Sequence, residues 1–222
     1  MQTGKTALIA GANGLTGGHL LDQLLEHPAY QQVISLVRRP TGRQHPKLRE
    51  VITDFDHPDA SLWKGDDVFC ALGTTLAKAG SKEAQYRIDC LYPVALARVA
   101  RDNGAQKYLL VSSIGADPQS SNFYLRTKGD LEQQVAAMGY ETFVAARPSF
   151  LMGQRGEFRL GERIGIVIAR ILAPLMVGPL RKYRGIASAQ VAKALIAAAN
   201  DGKKGRFSPE YDELCKANTT VL

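Results

Sequence analysis

The sequence predicts a single α/β domain over residues 1–222, a Rossmann-like doubly wound parallel sheet with a short helical region on its carboxyl-terminal, substrate side. Three observations carry that expectation. Strand-length apolar runs alternate with segments of helical period from Lys5 to Ala145. A glycine-rich turn joins the first run to the first helical segment. No repeat, low-complexity linker or break in composition divides the chain, and 222 residues suffice for one substantial core.

The elements follow in order. KTALIA, Lys5 to Ala10, reads as a strand, and Leu15 to Leu25 carries leucines on a helical period. Further strands are expected at Val33 to Val37, at Val51 to Ile52 extended toward Asp54, at Val68 to Ala71, at Tyr108 to Val111 and at Thr142 to Ala145. Helical patterns occupy Glu83 to Arg101 and Phe123 to Ala137; Pro93 inside the first either kinks it or marks its true beginning. Later, Glu162 to Leu172 and Ala187 to Ala199 look helical, and Gly202 to Gly205 reads as a turn.

Composition narrows the function classes. A formal net charge of +7 suits an anionic ligand and equally a solubilising basic surface. The chain has no finger, RNA-binding module or basic run interleaved with aromatics, which argues against nucleic acid. Cys70, Cys90 and Cys215 are too scattered for a disulfide framework, and His19, His27, His45 and His57 have no metal-binding spacing. The apolar stretch Ile164 to Leu180 is broken by Arg170, Pro174 and Pro179, so no transmembrane helix is expected. Met1 to Lys5 lead straight into a strand, leaving cytoplasmic residence as the default expectation. A homodimer through a late amphipathic helix stays open.

GANGLTG places Gly11, Gly14 and Gly17 between strand and helix, where a missing Cβ permits the turn and a close approach of pyrophosphate to helix-terminal amides. This predicts a dinucleotide site. The second strand ends in LVRRP, with Arg38 and Arg39 where an acid often binds ribose hydroxyls, so NADP (NADPH) is expected over NAD; an exposed arginine pair is the rival reading. Asp54 is placed on the adenine side, against the alternative of a satisfied loop carboxylate. Leu72 and Gly73 in LGTT allow the backbone to cross close to the cofactor, or else form a tight strand-to-helix turn.

For chemistry, KYLLVSS ends in Ser112 and Ser113, and YLRTK puts Tyr124 and Lys128 four positions apart on one helix face. A phenol is a poor acid-base group at neutral pH, and a nearby ammonium favours its ionised form. The expected mechanism gives Tyr124 the proton transfer, Ser113 the substrate oxygen and Lys128 the nicotinamide ribose, with hydride passing between nicotinamide and a small carbonyl or alcohol. Ser112 is the alternative serine, because adjacent strand residues face opposite ways.

GANGLTG, RRP, LGTT, VSSIGAD and SSNFYLRTK together resemble an atypical short-chain dehydrogenase/reductase, especially the Tat-interacting-protein-like group of NADPH-binding oxidoreductases. The resemblance covers Lys5 to Leu151. It implies cofactor contacts from Asn13, Gly14, Leu15 and Thr16, from Arg38 and Arg39, from Leu72 and Gly73, and from Tyr124 and Lys128. It also implies a cofactor-facing loop over Ala146 to Met152, with Leu151 in contact. Members often carry an asparagine on the fourth helix where this chain has Asp89. The carboxyl-terminal region is too short for the large substrate domain of sugar-nucleotide epimerases, which disfavours a bulky nucleotide sugar. Arg155, Arg159 and Arg163 are candidates for meeting cofactor phosphates or an acidic substrate. Two other functions stay in view: a noncatalytic NADPH-binding regulatory or interaction protein, and an isomerase or dehydratase that uses nicotinamide transiently.

Overall fold

The computed structural model describes residues 4–153 and 178–216. The chain opens β1 (Lys5–Ala10), α1 (Leu15–Glu26), β2 (Tyr30–Val37), β3 (Leu48–Ile52) and β4 (Asp67–Cys70). Two short helices, α2 (Leu76–Ala79) and α3 (Lys82–Tyr86), precede a π turn at Arg87–Leu91 and α4 (Tyr92–Asp102). Then come β5 (Lys107–Val111), α5 (Phe123–Ala136), β6 (Thr142–Ala146) and β7 (Phe150–Met152). After a 3-10 helix at Gly178–Tyr183, the described chain ends with β8 (Gly185–Ala187), α6 (Ser188–Asn200), β9 (Gly205–Phe207) and α7 (Tyr211–Lys216).

Seven strands form one parallel sheet in the order β3-β2-β1-β4-β5-β6-β9, and β7 pairs with β8 in a second, two-stranded sheet. The order reverses between β1 and β4. In such sheets ligands sit at the carboxyl ends of the strands beside that reversal.

Strand alternation sends neighbours to opposite faces, and both faces are buried. Leu8, Ala10, Val68, Cys70, Tyr108 and Leu110 pack with α4 and α5, around Leu96, Leu131 and Val135. Ala7, Ile9, Phe69 and Leu109 pack on the other side with α1 and α6, around Leu20, Leu24, Val191 and Leu195. That covering on both faces is the doubly wound arrangement.

Several boundaries differ from the sequence reading. β2 begins at Tyr30, and β3 runs from Leu48 and stops at Ile52, leaving Asp54 beyond it. The long helix expected from Glu83 is interrupted by the π turn, in which the Tyr92 N–H reaches back to the Arg87 carbonyl. Pro93, in the first turn of α4, has no N–H to offer the carbonyl four residues behind, and the wider turn accommodates that gap. Gly205, expected in a turn, begins β9, while the helix expected over Glu162 to Leu172 lies outside the described residues. No described helix is long and apolar enough to cross a membrane.

Candidate active site

The β1–α1 turn is shaped by what its glycines lack. Gly11 has φ +91°, and a Cβ there would lie 2.5 Å from the Ala71 carbonyl carbon and oxygen at the end of β4. A Cβ on Gly17 would lie 1.9 Å from the Gly11 oxygen, so the first turn of α1 closes directly onto the loop. Gly14 donates its N–H to the Gly11 carbonyl at 2.9 Å and caps α1 without a side-chain hydrogen bond, and no acid occupies the first turn. The helix therefore presents amide donors and a positive dipole end with no side chain competing for them.

A cavity of about 1000 Å³ opens from this turn, large enough for a cofactor and a small substrate. Asn13, Gly14, Leu15 and Thr16 line it at the turn, Leu72, Gly73, Thr74 and Thr75 after β4, and Gln85 and Asp89 from α3 and the π turn. Ser112, Tyr124, Lys128 and Leu151 complete its far wall. Thr16 is buried, and its hydroxyl has no hydrogen-bond partner among the described residues.

At the far end, Asn122 caps α5 by accepting the Leu125 N–H at 3.1 Å, which sets the helix that carries Tyr124 and Lys128. Gly129 lets α5 lie against the 117–118 backbone, because a Cβ there would come within 2.2 Å of Asp117 and Pro118. Tyr124 is half-exposed to the cavity, Lys128 is buried, and the Lys128 Nζ lies 5.9 Å from the Tyr124 ring centre. Lys128 faces Asp89 across 3.9 Å. Asp89 accepts the Thr74 N–H at 2.6 Å through Oδ1. Burial pushes the Asp89 carboxyl above the usual carboxylate range; the Lys128 charge, the Thr74 N–H and the Gln85 amide offset only part of that effect.

The two serines part ways at the end of β5. Ser112 donates to buried Glu132 at 2.5 Å, and Glu132 is held in turn by two bonds from Arg147 at 3.0 and 2.6 Å. Ser113 lies outside the cavity lining, and its hydroxyl makes a long 3.3 Å bond to the neighbouring Ile114 carbonyl. Arg38 and Arg39 are exposed just past β2, outside the cavity wall. Asp54 is also exposed and accepts the Asp56 N–H at 2.9 Å, a local turn. Arg155, Arg159 and Arg163 lie outside the described residues. Sequence reasoning missed Gln85 and the Glu132–Arg147 pair altogether; Glu132 sits four positions after Lys128 on α5, which was the one available signal.

Solved structures share this fold. MoeE5 with UDP-glucuronic acid and NAD matches at a TM-score of 0.70 and 19% identity, over 97% of this chain and 82% of that one. A short-chain dehydrogenase/reductase superfamily protein from Agrobacterium tumefaciens with bound NAD matches at 0.69 and 14%, over 93% and 78%. The expected preference for NADP over NAD is thereby corrected: these matching structures hold NAD, as does a UDP-glucuronic acid 4-epimerase from Bacillus cereus. The physical basis of the error is visible, since Arg38 and Arg39 stand outside the cavity wall.

Among curated proteins, the chain is 35% identical over 219 residues to "Protein fmp52, mitochondrial" of Aspergillus fumigatus, covering 95% of this chain and 93% of that one. It is 32% identical to "Protein FMP52, mitochondrial" of Eremothecium gossypii, over 96% and 99%. The cytoplasmic default is overturned by these relatives, each of which is named as mitochondrial. A family model described as NAD(P)H-binding matches residues 11–202, the span that holds the turn, the cavity and the Tyr124–Lys128 face, and the chain belongs to that NAD(P)H-binding family.

Proposed function

We propose that this protein is a nicotinamide-dinucleotide-dependent oxidoreductase of the short-chain dehydrogenase/reductase type, acting on a small carbonyl or alcohol. The observation that supports it best is the continuity of one cavity from the Gly11–Gly17 turn to Tyr124 and Lys128. The residues fit a dinucleotide: the turn is a cradle that side chains would fill, and Thr16, whose buried hydroxyl has no hydrogen-bond partner among the described residues, belongs to the same wall.

When bound, nicotinamide supplies or takes the hydride. The α1 amides and the Thr16 hydroxyl hold pyrophosphate oxygens, with Leu72, Gly73 and Leu151 forming the walls. Lys128 Nζ holds the nicotinamide-side ribose and keeps a positive charge near the Tyr124 phenol. Tyr124 Oη gives its proton to the carbonyl oxygen in reduction and takes it back from the alcohol in oxidation. Of the two serines only Ser112 lines the cavity, although its 2.5 Å bond ends on a carboxylate; Ser113 has the weaker 3.3 Å bond but stands outside the wall, so the serine that meets the substrate oxygen is decided by comparing Ser112→Ala with Ser113→Ala in the turnover screen. Lys78, Thr74 and Thr75 line the approach and suit a polar substrate.

The test pairs calorimetric titration with NAD and NADP against a turnover screen of small aldehydes, ketones and alcohols, followed by nicotinamide absorbance. Tyr124→Phe should keep dinucleotide affinity and lose turnover by about 10²–10⁴-fold. Binding without turnover on any substrate would favour a noncatalytic dinucleotide-binding role, and no binding would overturn both readings.

A further inference from the structure

Glu132 is 1% exposed, and its carboxylate is met entirely from outside its own helix. Oε1 accepts from the Ser112 hydroxyl at 2.5 Å and from Arg147 Nε at 3.0 Å. Oε2 accepts from Arg147 Nη2 at 2.6 Å, and Arg206 of β9 stands 3.9 Å from it. One side chain thus joins α5 to the carboxyl ends of β5 and β6. A buried ion pair contributes little net stability, because desolvation offsets the attraction. What a two-pronged guanidinium and a charge-assisted hydroxyl bond do supply is direction, and so a fixed geometry.

The geometry that is fixed concerns the chemistry end of the cavity. Tyr124, Lys128 and Glu132 recur every four residues along one face of α5. Gly129 sets how closely α5 approaches the 117–118 backbone, but a close approach leaves a helix free to slide along its axis. The Glu132 bonds oppose that slide, since both partners are held independently of α5. Ser112 donates its N–H to the Ala146 carbonyl at 2.8 Å, and Arg147 donates its own to the Pro209 carbonyl at 2.9 Å. A helix is stiff, so a shift at Glu132 is carried to Tyr124, roughly 12 Å along the axis.

We propose that Glu132 is a positioning residue: through Ser112 and Arg147 it fixes α5 along its axis against β5 and β6, and so sets where the Tyr124 hydroxyl stands relative to the serine pair. This rests on the reading of Tyr124 as the proton-transfer group. Glu132 is not part of the cavity wall and acts only through these neighbours. The dinucleotide-binding turn lies on β1 and α1, which Glu132 does not touch, so its loss falls on the chemical step and largely spares cofactor affinity.

The experiment compares Glu132→Gln, Ser112→Ala and the double variant with the unaltered full chain, using NAD and an alcohol taken from the turnover screen. E132Q should lower kcat about 10–100-fold while calorimetric NAD affinity stays within about threefold. The double variant should lose no more than the worse of the two single variants, because both break one strut. Losses that multiply, or a lower urea midpoint with kcat of the folded enzyme unchanged, would overturn the proposal. If circular dichroism shows E132Q unfolded, Arg147→Lys replaces it; this keeps a charge beside Glu132, gives up the two-pronged hold and should show the same split between kcat and affinity. Crystal structures supply a readout that needs no substrate: the separation of Tyr124 Oη from Ser113 Oγ should change by about 1 Å in the variant, and an unchanged separation overturns the strut. NAD binding without turnover of any substrate overturns the proposed function, and the strut then stands or falls on that separation alone.

Discussion

Asp67 and Asp89 are each 1% exposed and each faces a lysine, one at the amino ends of the strands and the other at the carboxyl ends. Around Asp67 the hydrogen bonding is complete: Oδ2 accepts from Lys5 Nζ at 2.6 Å and from the Tyr30 hydroxyl at 2.7 Å. Asn200 closes the set, accepting from Lys5 at 2.6 Å and donating to Tyr30 at 3.3 Å. Around Asp89 the lysine stands off at 3.9 Å and one carboxylate oxygen is unmet. A buried polar group is costly unless it is paired, so the Asp67 network stabilises the fold, while Asp89 keeps a burial cost that its partners offset only in part. Under the proposed function the two ends of one sheet divide the work between stability and binding.

That division can be broken at either end. The largest effect on folding belongs to Asp67→Ala, which strands the Tyr30 hydroxyl and loosens Lys5; urea unfolding should show a loss of about 3 kcal/mol, moderated because Lys5 can rehydrate, with NAD affinity of the folded protein unchanged. Asp89→Ala should cost less stability, because the carboxyl it removes is already desolvated without full compensation, and should weaken NAD binding. The reverse ranking would collapse the comparison.

Two glycines offer a smaller version of the same contrast. Gly17→Ala forces a Cβ to within 1.9 Å of the Gly11 oxygen, and Gly65→Ala brings one to 2.9 Å from the Leu8 Cβ at the amino end of the sheet. Each should destabilise by about 1–3 kcal/mol, Gly17 toward the upper figure. Only Gly17→Ala should abolish calorimetric binding of NAD, because only that substitution deforms the phosphate-facing turn.

What could be read in the sequence follows the same line. Period and turn chemistry are local, so the strands from Lys5 to Ala145, the Gly11–Gly17 turn and the Tyr124–Lys128 face were all legible. The π turn was half legible: Pro93 signalled an interruption, but which residue the wider turn presents depends on how α3 and α4 pack. β9 was missed because Gly205–Phe207 is three residues long with a charged centre, too short for alternation to register. The Asp67 network joins residues 62 and 195 positions apart from Lys5, separations that no window reading can bring together. Arg38 and Arg39 misled because the end of a strand is legible in sequence, whereas the direction its loop then takes is not.

The smallest expected effect is also the most selective. Burial pushes the Tyr30 phenol far above the usual range, and the charge and hydrogen bond of Asp67 push it further, against a weaker opposing bond from Asn200. In the unfolded chain the same phenol ionises near pH ~10. Above that pH the folded state holds a proton that the unfolded state has released, so the contribution of Tyr30 is complete below pH ~10 and falls as pH rises, by up to about 1.4 kcal/mol per pH unit. Tyr30→Phe removes this proton from both states and forfeits the 2.7 Å bond to Asp67 and the longer 3.3 Å bond from Asn200, costing about 1–2 kcal/mol at neutral pH. Urea unfolding across the alkaline range should then fall less steeply in Y30F by close to one proton, while Tyr108 and Tyr140, whose phenols are also raised by burial, keep their share of the slope. Parallel curves for the two proteins would mean that the hydroxyl is already hydrated in the native state, and the amino end would lose its claim to being complete.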